Sequence, residues 1–380
     1  MNSLPLQKEY TDGSRGDEQV LMPTVALVNA SARTDGISYS SRAFRSALRE
    51  LGYGVVWYQC VDRGQDSQLP EQDRVVPGLG VPSATADMGI NRLWIFPRRL
   101  RHVPEDILFL MDPTLVGLAR SHRRTVLRVH DLKPLTPFAD RRAATWMFRY
   151  AIPRLRRVRR VLVPSASLAV ELTELGISPD RIRLVPETHS LGFHPDHVGI
   201  SLQRIRTTGV LRVLYVATDR PPKNLEFVIR LAQTSAQLSG RTRSEFTILS
   251  RLRPETRAKV ARLNLPNLSI VPEVPSVADV YESNDVLVFP SFHEGFGRPA
   301  IEAMAFGMPV IASNIPPLRE IVGDSGPLLD PTVVEPWMEA LHKLSEPAFY
   351  EKAARRSLAR SEHYSPARFR EAVGKAFEDM

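Results

Sequence analysis

The chain has a single cysteine, Cys60, among 380 residues. One thiol excludes an internal disulfide framework and fits a reducing compartment. Long apolar runs are missing too, since no stretch approaches the roughly 18 residues that a membrane-spanning helix needs. The first residues, MNSLPLQKEYTDGSRGDEQ, mix polar groups and both charges, unlike a signal peptide or an anchor. Their low apolar content predicts a disordered lead-in over residues 1–20. Lysine is scarce, with seven against 43 arginines, yet the net charge is +8. That balance leaves nucleic acid, anionic lipid and anionic substrates all open as partners. The dinucleotide fingerprint GxGxxG is absent, and Gly78-Leu79-Gly80 lies in a polar, proline-bearing segment that does not fit its strand-to-helix context. Base-stacking aromatics are few among the basic residues, only Trp146, Phe148 and Tyr150 lying near the main arginine run, so nucleic acid is not an expected partner.

What the chain does have is a dense stretch from Asp285 to Pro331. The apolar run Val286 to Phe289, bounded by Asp285 and Pro290, reads as a buried strand. The turn Gly295-Phe296-Gly297 follows, with Pro299 where a first helical position would be. Ala300 to Phe306 reads as a helix that is apolar except for Glu302 and is stopped by Gly307. Pro309 to Ala312 is the next strand, completing a βαβ unit. Two glutamates carry its chemistry. An acid on an apolar helix is costly to bury unless something hydrogen-bonds it. A sugar or ribose diol would do so, because a carboxylate accepts from two neighbouring hydroxyls. The glycines let backbone N–H groups approach an anion at a helix N-terminus. The plainer alternative is that Glu302 only complements the positive end of its helix.

Thr24 to Asn29 reads as the first strand of the chain. The polar loop Arg33-Thr34-Asp35-Gly36-Ile37 leads to a helix with Phe44, Ala47, Leu48 and Leu51 on one face, ended by Gly52. Thr125 to Val129 is a strand that delivers His130-Asp131 at its carboxyl end, where ligands bind in parallel sheets. Ala139 to Arg160 reads as one long helix crossed by Pro153. Pro186 to Thr208, polar and without period, reads as the hinge. His189, His194 and His197 cluster there, but beyond Glu187 and Asp196 they lack partners at ligand spacing, so no metal site is expected. Leu211 to Ala217 opens a second αβ domain. Its loop, Thr218 to Pro222, leads to Lys223 and Asn224, a good helix N-cap. A lysine just before a helix N-terminus is set for a diphosphate, unless it is simply solvated.

The Asp285–Pro331 stretch closely resembles the signature of the retaining glycosyltransferases of family four, which have the GT-B fold. The likeness runs through Ser291, Glu294-Gly295-Phe296-Gly297, Glu302-Ala303, Gly307-Met308-Pro309-Val310 and Glu320-Ile321-Val322-Gly323. It extends over residues 24–375 and is strongest after Leu211. The resemblance implies an α/β chain of two Rossmann-like αβα domains facing a cleft. The acceptor-side domain would span 21–200, with the last helix, 362–380, packing back on it, and the donor domain 201–361.

In the resembled family the first glutamate contacts the transferred sugar and the second the ribose, which assigns Glu294 and Glu302. Lys223 would neutralise the leaving diphosphate, and His130 would lie near the sugar. Gly295, Phe296, Gly297, Arg220, Thr218, Gly36 and Glu273 complete the expected donor-binding set. No metal is expected, because no Asp-x-Asp pair occurs, and no cofactor beyond the nucleoside-diphosphate sugar itself. Three departures stand out: Ala217 where a glycine is common, Pro222 where an arginine is common, with Arg220 its candidate replacement, and Glu187-Thr188-His189 in place of a short Asn-Gly turn.

The implied activity is hexosyl transfer to a glycan or lipid-linked acceptor, in the cytoplasm and peripherally at the inner face of the membrane. Arg149, Arg154, Arg156, Arg157, Arg159 and Arg160 alternate with Ile152, Leu155 and Val158, and Arg98, Arg99 and Arg101 follow Leu93 to Phe96. Such patterns suit an anionic lipid surface or the buried stripe of a solvated helix. The rival activities are a nucleotide-sugar epimerase, a phosphorylase of the same fold and a non-catalytic nucleotide-binding homologue.

Overall fold

The computed structural model describes residues 22–30, 36–62, 73–80, 88–139, 142–237, 243–272 and 274–380. The expected lead-in over 1–20, the loop residues Arg33 to Asp35 and Glu273 lie outside them.

Short β-branched and leucine-rich runs form two wholly parallel sheets. The first holds β1 (Thr24–Asn29), β2 (Gly54–Val61), β3 (Arg74–Pro77), β4 (Ile107–Leu110), β5 (Thr125–Arg128), β6 (Arg160–Val163) and β7 (Ile182–Leu184), in the order 3-2-1-4-5-6-7. The second holds β8 (Val210–Val216), β9 (Arg243–Leu249), β10 (Leu268–Val271), β11 (Val286–Phe289), β12 (Val310–Ser313) and β13 (Leu328–Leu329), in the order 10-9-8-11-12-13. Each order reverses once, between β1 and β4 and between β8 and β11. In doubly wound sheets such a reversal opens a crevice at the strands' carboxyl ends, and ligands bind there.

Both faces of each sheet are covered, which is why the central strands read as unbroken apolar runs rather than alternating ones. One face of the first sheet packs Leu108, Leu110, Leu127 and Val161. The other packs Val25, Leu27, Phe44 and Phe109 with Phe369, Val373 and Phe377 from the last helix, Pro366–Phe377. Phe44 lies edge-on to Phe109 at 4.9 Å and to Phe369 at 5.0 Å. The chain therefore crosses between the two bodies twice. The crossings run side by side, since the Thr188 hydroxyl donates to the Tyr364 carbonyl at 2.9 Å and the His189 N–H to the same oxygen at 3.2 Å.

Two segments differ from the sequence expectation. The long helix of 139–160 is a helix only over Arg142–Ala151. Pro153, which has no N–H to donate, turns the chain into a 3-10 segment over Ile152–Arg157, and β6 begins at Arg160. Ile152, Leu155 and Val158 are core residues, 4%, 0% and 0% exposed, so they do not form an apolar surface between the arginines. Several of those arginines instead donate to carbonyls: Arg156 to Gly176, Arg159 to Asp379 and Arg160 to Ala376. The hinge contains a helix as well, His197–Thr208, ended by Gly209 in the left-handed region. Its buried stripe is His197, Ser201, Leu202 and Ile205, and the polar members hide the helical period. Leu202 and Ile205 belong to the second core.

Candidate active site

The reversal in the second sheet brings two loops together. The one after β8 carries Thr218, Arg220 and Lys223, and the one after β11 carries Ser291 to Gly297. Lys223 Nζ donates to Glu294 Oε1 at 2.6 Å, with the lysine side chain 28% and the glutamate 8% exposed. The loops are also pinned by their backbones, because Phe292 N–H donates to the Pro222 carbonyl at 2.8 Å. Pro222 thus fixes one loop to the other where the resembled family commonly has an arginine. The Tyr215 hydroxyl holds the Lys223 carbonyl at 2.9 Å. Asn224 stands just before the helix Leu225–Gln237 with φ 57°, and its amide donates to the carbonyls of Pro290 and Pro331. Asn224 therefore ties three segments together, and its side chain serves this junction, whereas the sequence suggested a helix cap.

Glu302 is buried one turn inside the helix Arg298–Ala305. Its Oε2 accepts from the Tyr281 hydroxyl at 3.0 Å and its Oε1 from Arg298 at 2.9 Å. Burial raises the carboxyl above the ordinary carboxylate range, against the pull of Arg298 and of the Tyr281 hydroxyl. Arg298 also donates to Ser190 in the hinge and lies 4.4 Å from the Tyr39 ring of the first domain. The acid on an apolar helix is therefore hydrogen-bonded by the protein itself. Ser190 also hydrogen-bonds the carboxylate, so three protein groups reach it, and its two oxygens, with about four acceptor sites between them, still have room for a ligand hydroxyl.

The two expected glycines serve different ends. A Cβ on Gly295 would fall on the His130 carbonyl oxygen and within 2.7 Å of Asp131 Cβ, so this position lets the two domains meet. Gly297 has φ 127° and faces Leu318 and Ile321, so it serves the turn. The Phe296 ring is 6% exposed and packs edge-on against Tyr364 at 5.7 Å, so a donor would meet the backbone of this residue rather than its ring. Gly36 is the exposed first residue of the helix Gly36–Glu50, and a Cβ there would meet nothing within 4 Å among the described residues. Thr218 and Arg220 are exposed on the loop after β8.

From the facing domain, His130 sits at the end of β5, 18% exposed, with Nδ1 3.6 Å from Glu187 Oε1. The same Glu187 oxygen accepts from the fully buried Arg128 at 2.7 Å and from the Ser40 hydroxyl at 3.0 Å. Sequence reasoning passed over Arg128 and met Glu187 only as a departure in the hinge, without a role at the site. An arginine inside the apolar run of β5 was the available signal for Arg128, and the break from Asn-Gly was that for Glu187. Ser165 donates to the Gly295 carbonyl at 3.3 Å, and the Glu320 carboxylate accepts from Ala166 N–H, capping the helix Ala166–Glu174 across the cleft. Phe138 stacks on Phe292 at 6.3 Å at the same junction.

The hinge histidines do not converge. His197 lies between the carbonyls of Phe306 and Asn284, and His194 stacks on Phe306 at 4.1 Å. Among the described residues no group of three His, Cys, Asp or Glu side chains stands ready to hold a metal ion.

Sequence comparison assigns both halves. The family model described as Glycosyltransferase Family 4 matches residues 34–188, and that described as Glycosyl transferases group 1 matches residues 211–346. The chain belongs to the family-four glycosyltransferases. This glycosyltransferase is 33% identical to an O-antigen chain mannosyltransferase B of Escherichia coli, over 40% of its own length and 42% of the relative's. It is 31% identical to an MMP alpha-(1->4)-mannosyltransferase of Mycolicibacterium hassiacum, over 43% and 39%. The match thus spans less than half of these curated relatives. Solved structures align almost throughout. A sucrose-phosphate synthase from Thermosynechococcus elongatus matches with a TM-score of 0.74 at 18% identity, covering 93% of this chain and 98% of that one. The Anabaena protein HepE, solved with UDP and glucose, matches with a TM-score of 0.74 at 15% identity, covering 94% and 100%. The glycosyltransferase has their two-domain GT-B fold.

Proposed function

We propose that this glycosyltransferase moves a hexosyl group, with retention of configuration and without a metal ion, from a nucleoside-diphosphate sugar to a glycan or lipid-linked acceptor. The observation that carries the reading is Lys223 Nζ held 2.6 Å from Glu294 at the reversal of the second sheet. A diphosphate entering this crevice would draw Lys223 toward charge that grows as the sugar departs. Glu294 would then be released to hold the sugar's hydroxyls, and Glu302, backed by Tyr281 and Arg298, the ribose. The mannosyltransferases among the relatives favour a mannosyl donor. The test is a panel of UDP-, GDP-, ADP- and dTDP-sugars, screened by thermal shift and then by nucleotide release with and without EDTA. One donor that stabilises the protein and turns over in EDTA supports the reading. No turnover with any donor overturns it, and turnover that EDTA abolishes and Mg2+ restores overturns metal independence.

Glu302→Gln keeps the side chain's size and one acceptor oxygen, so the fold should persist. Losing the charge should weaken nucleotide binding about 10–100-fold, the scale of a hydrogen bond to a charged group, about 1.5–3 kcal/mol. Titration calorimetry with the free nucleotide reads this directly, and unchanged affinity would move the ribose contact elsewhere.

A lipid surface remains part of the proposal, on a changed footing. Among the described residues no helix is long and apolar enough to cross a membrane. Trp94 is 58% and Trp146 59% exposed, on neighbouring elements that both pack against the segment Pro113–Arg120. Arg98 lies 5.3 Å from the Trp94 ring, and Tyr150 stacks on Trp146 at 6.0 Å. Tryptophans flanked by arginines fit the headgroup region, where each basic residue contributes about 1 kcal/mol. Wild-type protein should sediment with anionic liposomes at low salt, and Trp94→Ser with Trp146→Ser should leave it in the supernatant. Wild-type protein absent from both anionic and neutral pellets would exclude the contact.

A further inference from the structure

His130 enters this molecule through an unusual buried set of charges. Arg128, His130 and Glu187 come from the end of β5 and from the first crossing between the domains. Arg128 is 0% exposed, donates to the Val185 carbonyl at 2.7 Å and reaches Glu187 Oε1 at 2.7 Å. Ser40, on the helix Gly36–Glu50, donates to that oxygen too. Burial alone would raise the Glu187 carboxyl, but Arg128 and His130 outweigh it and hold it well below the usual range. An ionised carboxylate has only acceptors to offer. A neutral imidazole beside it gains by turning an N–H toward it. The 3.6 Å between Nδ1 and Oε1 is longer than a hydrogen bond, a spacing that apo sites commonly tighten when substrate arrives. His130 Nε2, at the far side of the ring, is buried without a hydrogen-bond partner. The His130 carbonyl lies against Gly295, next in the chain to Glu294. The backbone of His130 thus sits where the two domains meet, beside the residue that follows the glutamate paired with Lys223.

We infer that Glu187, clamped by Arg128 and Ser40, is a positioning residue that keeps the His130 proton on Nδ1, so that Nε2 presents a lone pair to a hydroxyl of the bound sugar. This rests on the reading that His130 meets the sugar. Glu187 does not touch the reacting atoms; it sets which face of the imidazole is an acceptor. A glutamate at this crossing, in place of Asn-Gly, thereby has a chemical consequence, because an Asn-Gly turn places no carboxylate beside Arg128.

The test begins on the unaltered protein. In 15N-histidine-labelled enzyme above the titration range, with His130→Gln used for assignment, His130 should show a protonated Nδ1 and an unprotonated Nε2. Arg128→Met combined with Glu187→Leu removes both charges together and leaves neither partner stranded, a replacement that buried ion pairs tolerate. This double variant should keep its melting temperature and nucleotide affinity, show a mixture of both tautomers at His130, and lose about 10–100-fold in kcat, the usual cost of removing a group that orients a functional histidine. An Nε2-protonated ring in the wild type, or an unchanged tautomer or unchanged kcat in the double variant, would overturn the inference. The labelled spectrum needs no turnover. A failure of the proposed donor chemistry would therefore appear as an inactive wild type with the expected tautomer, distinct from a failure of the positioning role.

Discussion

Lys223→Ala should lower kcat by about 10²–10³-fold, the effect of removing a donor that stabilises charge in the transition state. The backbone that carries it is fixed before any donor arrives, since Tyr215 holds the Lys223 carbonyl and Phe292 binds the neighbouring Pro222, so only the side chain has to swing from Glu294 to the diphosphate. Little reorganisation is then needed when charge develops on the leaving diphosphate, which is why the loss should fall on kcat rather than on KM. Glu294 is 8% exposed, so the variant also strands a carboxylate. Lys223→Met with Glu294→Gln removes that cost and should be equally inactive with a restored melting temperature. Steady-state nucleotide release reads both variants. Wild-type turnover in either would remove Lys223 from the chemistry.

Gly295→Ala should abolish detectable transfer while leaving each domain folded. Its Cβ would fall on the His130 carbonyl across the cleft, and the backbone there cannot move without separating the domains. The contacts that depend on this approach, Ser165 to Gly295, Glu320 to Ala166 and Phe138 to Phe292, should be lost together. Small-angle scattering should report a larger radius of gyration, and the thermal transition should shift little, because no domain core includes Gly295. Gly297→Ala provides the contrast: φ of 127° is strained for any side chain, and Leu318 and Ile321 leave no room, so that variant should lose melting temperature instead. An active Gly295→Ala enzyme would show that transfer does not need this approach of the domains.

Much of this arrangement was legible from the chain because its signals are local. Val286 to Phe289, the glycine turn and the helix with its lone acid sit within one βαβ unit, and that unit by itself puts Glu294 and Glu302 near a strand's carboxyl end. Partners chosen by tertiary folding were not legible. Tyr281 reaches Glu302 from a helix on the other side of β11, and nothing about a tyrosine at that distance announces the contact. Arg128 and Glu187 lie 59 positions apart and meet only because β5 and the hinge are spatial neighbours. The packing of the Phe296 ring against Tyr364 was not legible either, because the two residues are far apart in the chain. The arginine-rich segment left two readings open, since alternation of Arg with Leu and Val suits a lipid face or a buried stripe, and packing chose the second for Ile152, Leu155 and Val158.

The return of the last helix onto the first domain has a consequence for synthesis. Phe369 and Phe377 cover Phe44 and Phe109, so a face of the first sheet is closed by a helix made only after the second domain. The second domain, whose core draws on residues from Leu202 to Ala354, can finish while that face is still open. The order of completion then runs against the order of translation. An apolar surface around Phe44 and Phe109 stays in need of protection until that helix has been made, and chaperone dependence should concentrate in the first domain.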